Sequence, residues 1–143
     1  PRPPKDKAMP RNLYVNLPVK DLERTVDFFT ALGFAFNPMF TDENATCMIV
    51  NDGTSVMLLV ESYFATFTKK PLADAHAVTE TLLALSLDSR AEVDDFIAKA
   101  LAKGAVEYAE PKDLGFMYQR GIADLDGHQW EVFFMDESQF PGA

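Results

Sequence analysis

A carboxylate set inside an apolar strand is the first residue that could do chemistry. Glu131 stands between Trp130 and Val132, where a charge needs a partner or a task. A raised pKa there would make it a general base, and an unpaired carboxylate would anchor a cationic ligand. The alternative is a structural carboxylate satisfied by Tyr14, Asn16 or Arg120. Tyr14 and Asn16 stand two apart in an extended run, so they share a strand face, from which they orient a ligand or bond Glu131. Phe116 and Tyr118 also share parity and are expected to wall a cleft, while Trp130, of opposite parity to Glu131, is expected against a helix. His128 follows Asp126-Gly127 and fits an ordinary turn better than a proton shuttle, because it lies three residues before Glu131, which sends it to the other strand face. His76, near Asp74, fits a surface or capping role better than a residue reaching the cleft from a lid. Cys47 is the single cysteine, has no base beside it in sequence and reads as a buried, inert thiol. Nucleophile-elbow, dinucleotide, P-loop, zincin and EF-hand patterns are absent from the sequence.

The elements that must position these residues come in two copies, 68 positions apart. Leu13 to Val19 runs into Asp21 to Leu32, and Thr81 to Leu87 runs into Ser89 to Leu101, registered on Asp27-Phe28 and Asp95-Phe96. In the first copy Leu22, Val26 and Phe29 make a helical stripe stopped by Gly33. Strands are expected at 34–39, 46–50 and 55–60, the last two joined by Asn51-Asp52-Gly53, a turn that tolerates positive φ. In the second copy Ser89 and Glu92 form a capping box, and Gly104 ends the helix. Strands are expected at 106–109, 116–122 and 129–134. Both halves therefore read βαβββ. The fold class is α+β: two tandem βαβββ modules form a curved mixed sheet whose concave cleft is the ligand site. The expected layout is a flexible extension over 1–11, module one over 12–60, a linker with a short helical piece over 61–80, module two over 81–135 and a tail over 136–143.

Composition narrows the function. A net charge of −9 over 143 residues argues against nucleic acid and anionic membrane as partners. No apolar run approaches the roughly 20 residues of a membrane span. One cysteine excludes an intrachain disulfide and fits a reducing, cytoplasmic setting.

The duplicated βαβββ plan, with Val19 to Phe34 near the start and Asp124 to Phe133 near the end, resembles the vicinal oxygen chelate superfamily of glyoxalase I, bleomycin-resistance proteins and extradiol dioxygenases. Within it the chain resembles the branch called predicted lactoylglutathione lyases. The resemblance implies a homodimer and up to four metal ligands on the concave face. Carried over, those positions are Tyr14, Leu82, Leu58 or Met57 (depending on whether strands or turns are superposed) and Glu131. Only Glu131 is a competent ligand, because Leu and Met do not usefully bind a hard or borderline divalent cation and a neutral phenol binds poorly. The expectation is a protein that binds a small, largely apolar molecule without a cofactor, its cleft lined by Tyr14, Asn16, Met57, Leu58, Leu82, Phe116, Tyr118 and Glu131. Two alternatives stand beside it. One is a glyoxalase-like lyase or isomerase, using a divalent metal held by side chains such as His76 or Glu61, or metal-free with Glu131 as base. The other is a structural or regulatory dimer without a small ligand.

Overall fold

The computed structural model describes residues 11–140. The expected N-terminal extension, except Arg11, and the last three residues of the tail lie outside the described residues. The described chain forms two compact units, one from residues up to Leu22 with Phe34–Lys69 and one from Glu23–Gly33 with the rest.

The first unit is a four-stranded mixed sheet of β1 (Leu13–Val19), β2 (Ala35–Asn37), β3 (Ala45–Asn51) and β4 (Thr54–Val60) in the order β1-β4-β3-β2. β1 runs parallel to β4, and the other pairs are antiparallel. β1 is an edge strand, the place where Pro18 costs least because it has no N–H to give to a ladder. The second strand ends earlier than expected. Pro38 starts a 3-10 turn over Pro38–Phe40, and Asn37 caps it by accepting from the Met39 N–H at 3.0 Å. The Asp52-Gly53 turn does not use positive φ at either residue. A bulge between Ile49 and Asn51 supplies the extra twist, and the Asn51 side chain accepts from the Gly53 N–H at 3.0 Å. Leu17, Val19, Met48, Val56 and Leu58 share one face and are buried there. A short helix α2 (Glu61–Phe64) and a 3-10 turn (Ala65–Phe67) follow β4, the helical piece expected in the linker.

The second unit is a sheet of β5 (Leu82–Ser86), β6 (Val106–Glu107), β7 (Lys112–Asp113), β8 (Met117–Ala123) and β9 (Gln129–Met135), with helices α1 (Leu22–Ala31) and α3 (Arg90–Ala102). The order is β5-β9-β8-β6, and β7 pairs with the other end of β8. The strands thus fall into two mixed sheets. The capping box forms as expected: Ser89 Oγ accepts from the Glu92 N–H at 3.1 Å, and Glu92 reaches back to the Asp88 N–H at 2.8 Å. Gly104, at φ +103°, stops α3. β7 has no apolar run in the sequence to mark it as a strand. Bidentate pairing of Arg90 with Asp113, at 2.8 and 2.9 Å, helps to hold it.

All of α1 except its first residue belongs to this second unit, although the repeat assigns it to the first module. The Phe29 ring meets Trp130 edge-on at 5.3 Å, and Thr25 Oγ1 donates to Asp126 at 3.3 Å. Trp130, Ile122 and Val132 are buried beneath the helices. Fully burying such side chains contributes about 1.5–3 kcal/mol each.

Candidate functional site

Cross-strand register decides which side chains share a face. Glu131 stands opposite Gly121 on β8 and Ala84 on β5. Leu82, Gln129, Gln119 and Phe133 therefore lie on the Glu131 face. Trp130, Ile122, Val132, Arg120 and Tyr118 lie on the other, with the helices. The helix face is packed, whereas Leu82 (51 % exposed) and Ala84 on the Glu131 face are open to solvent.

The partner of Glu131 is a residue that sequence reasoning missed. Gln119 Nε2 donates to Glu131 Oε2 at 2.7 Å, diagonally across the β8–β9 ladder. Arg120 does not serve it. It points to the helix side and bonds Glu107 at 2.8 and 2.9 Å and Asp94 at 2.9 Å. Beside Glu131 lies a second missed residue, Tyr108. A Cβ built on Gly121 would meet the Tyr108 ring and hydroxyl at 2.7 Å, so the phenol fills the space that glycine leaves. Its hydroxyl is buried and finds no partner among the described residues. Burial, and then the nearby Glu131 charge, push the Tyr108 pKa up, so the phenol keeps its proton. Residues 107–111 wall an open groove of about 360 Å³. A Gly opposite a strand carboxylate was the available sequence signal, but only register shows the two to be neighbours.

Several expected cleft residues are placed differently. Tyr118 donates to Asp94 of α3 at 2.6 Å, on the face opposite Glu131. That bond raises the Tyr118 pKa and, ahead of Arg120, lowers that of Asp94. Phe116 precedes β8, and its ring meets Phe140 at 5.1 Å. Alternation along β8 holds, but it turns Tyr118 away from Glu131. In the first unit Asn16 opposes Met57 as Ala84 opposes Glu131, so Met57 is the counterpart of Glu131. Leu58 points the other way and is 0 % exposed, a core residue and not a cleft residue. Tyr14 and Asn16 share the Met57 face, and both are exposed.

The remaining candidates have structural surroundings. Asp124 is buried and accepts from the Asp126 and His128 N–H groups at 3.0 Å and from Trp130 Nε1 at 2.9 Å. Burial raises its pKa, against the opposing effect of His128 and these bonds. His76 donates its backbone N–H to Asp74 at 3.0 Å and lies against Gly127, whose φ is +88° and where a Cβ would meet the His76 backbone at 2.7 Å. Glu61 opens α2 and is exposed. Cys47 is buried.

The arrangement matches known proteins. The family model described as bleomycin resistance protein-like N-terminal matches residues 11–51. The hypothetical protein SA1046 from S. aureus superposes with a TM-score of 0.76 at 27% identity, over 90% of this chain and 97% of that one. A glyoxalase-related enzyme from Fulvimarina pelagi gives a TM-score of 0.74 at 20% identity, over 88% of each chain. The chain has the fold of the glyoxalase/bleomycin resistance protein/dioxygenase structures. The chain also superposes on a bleomycin resistance determinant encoded on transposon Tn5, with a TM-score of 0.59 at 20% identity, over 87% of this chain and 98% of that one. Among curated proteins none matches it.

Leu82 and Met57 carry no donor suited to a hard or borderline divalent cation, and Leu58 is in the core. Among the described residues no three His, Cys, Asp or Glu side chains are grouped so as to hold a metal ion. Among the same residues no helix is long and apolar enough to cross a membrane.

Proposed function

We propose that this protein binds a small, largely apolar molecule against the Glu131 face of its second sheet, with no metal ion in the contact. One observation carries the reading: a carboxylate fixed by Gln119 sits on an open face with Leu82, Ala84 and Phe133, while the reverse face is packed under helices. A mostly apolar surface with a few placed polar groups is the usual make-up of a small-molecule site. Fixing the carboxylate in advance lowers the cost of ordering it on binding. The homodimer belongs to the same proposal, and light scattering of the purified protein tests it.

The main experiment is a thermal-shift series with apolar aromatic compounds, run beside metal analysis of the purified protein. Binding raises the melting temperature as ligand concentration passes Kd, and the metal content is expected to be substoichiometric. A tightly held equivalent of nickel, zinc or iron, together with no response to any compound, would overturn this reading in favour of a metal-dependent isomerase.

A further inference from the structure

Glu131 stands in β9, an interior strand flanked by β5 and β8. Its two cross-strand neighbours are small, Ala84 on β5 and Gly121 on β8. The Tyr108 ring fills the room over Gly121. Ala84 is open instead: it is exposed, between exposed Leu82 and Ser86 on the same strand face. The carboxylate is itself partly exposed. Its charge has no counter-ion. Neutral Gln119 donates to Oε2, and Oε1 accepts no hydrogen bond among the described residues. Glu131 joins none of the ion pairs formed among those residues. Every other side chain that register places on this face of β5, β8 and β9 is neutral. One cation shares the face, Lys112 on β7, but it is exposed and stands beyond β8, opposite Gln119. An uncompensated carboxylate on a largely apolar surface attracts a cation and repels an anion, more strongly than it would in bulk water. The net charge of −9 adds a general attraction for cations.

We propose that the ligand of this face is a lipophilic amine, with its ammonium group over Ala84 against the Glu131 carboxylate and its apolar body on Leu82. This rests on the small-molecule reading of the same face and adds the ligand's charge to it. An ammonium brings three donors, and the free lone pairs of Glu131 accept them. Charge-assisted hydrogen bonds of this kind are about twice as strong as neutral ones. An alcohol of the same shape offers one neutral donor, and a carboxylate offers a like charge and no donor.

Three probes with one apolar tail separate these cases: phenethylamine, phenethyl alcohol and hydrocinnamate. Each is titrated into the full chain at neutral pH while the backbone amide NMR signals of Ala84 and Glu131 and the side-chain amide signal of Gln119 are followed. Phenethylamine is expected to bind about tenfold tighter than the alcohol, and hydrocinnamate weakest. The amine is also expected to shift the Gln119 side-chain amide, which shares the carboxylate with it; this measurement needs no variant. Glu131→Gln keeps the shape and removes the charge, and it is expected to bring the amine and the alcohol to similar affinity. If the alcohol or hydrocinnamate binds as tightly as the amine, the charge inference fails while the small-molecule site stands. The same holds if the amine's preference survives in Glu131→Gln or leaves the Gln119 side-chain signal unmoved, because the overall negative charge would then account for it. If none of the three probes moves any of these signals, the inference and the site reading fail together.

Discussion

The Tyr108 phenol occupies the space of a missing side chain at Gly121, closely enough that a Cβ there would meet the Tyr108 hydroxyl at 2.7 Å. Gly121→Ala must therefore displace the ring or bend β8. The expected cost is about 1–3 kcal/mol, typical of forced overpacking. Because both residues share one contact, the double variant with Tyr108→Ala should cost less than the sum of the singles. Urea denaturation of the four proteins measures this, and strict additivity would show that the two residues do not touch.

Glu131→Gln tests the carboxylate. A hydrogen bond to a charged group contributes about 1.5–3 kcal/mol, so affinity for a compound that binds this face through the carboxylate is expected to fall tenfold or more while the fold persists. If Glu131 only holds Gln119, at 2.7 Å, the variant should instead lose stability and keep its affinity.

Asp124 organises the turn before β9 by accepting from two backbone N–H groups and the Trp130 indole. Asp124→Ala leaves those donors without an acceptor in a buried setting. A loss of about 3 kcal/mol is expected, with Trp130 fluorescence reporting the looser turn. An unchanged unfolding midpoint would mean that water replaces the carboxylate.

Leu58 and Met57 are adjacent but face opposite ways, one wholly buried and one only partly so. Leu58→Ala is expected to cost about 2–5 kcal/mol, whereas Met57→Ala should cost less than about 1 kcal/mol. Equal losses in thermal or chemical unfolding would contradict the register of β4.

The Arg90–Asp113 pair predicts an acid limb. Arg90, and then the Gly115 N–H, hold the Asp113 carboxyl down to about 2, below its ordinary 3.8. A carboxyl whose pKa is lowered by folding contributes stability above its unfolded value and loses it as pH falls through the folded one. The urea midpoint of the wild type should therefore exceed that of Arg90→Met at neutral pH. The gap should narrow as pH falls from 3.8 towards about 2. The pair is exposed, so the effect is small and salt weakens it. A gap that is independent of pH would mean that the Arg90 contact with the Tyr118 ring, at 5.1 Å, carries the difference alone.

Much of the fold was legible because its signals are local. The Ser89–Glu92 capping box, the Gly33 and Gly104 stops and the β1 boundaries need only neighbouring residues, and each appears where expected. Trp130 packs against a helix as its parity predicts, since alternation along a strand fixes opposite faces for Trp130 and Glu131. The end of β2 and the existence of β7 were not legible. Pro38 turns one chain segment away, and a distant arginine helps to hold the other.

By itself the sequence determined the duplicated βαβββ plan and the presence of a strand carboxylate, because repeat spacing and two-residue alternation are written within each segment. Only the tertiary structure decided that Glu131 meets Gln119 and Gly121, that Tyr118 turns to α3, and that α1 packs with Trp130. Alternation says which residues share a face of one strand. Which residues of the next strand join them depends on hydrogen-bond register, and register is set by the packing of all strands and helices at once.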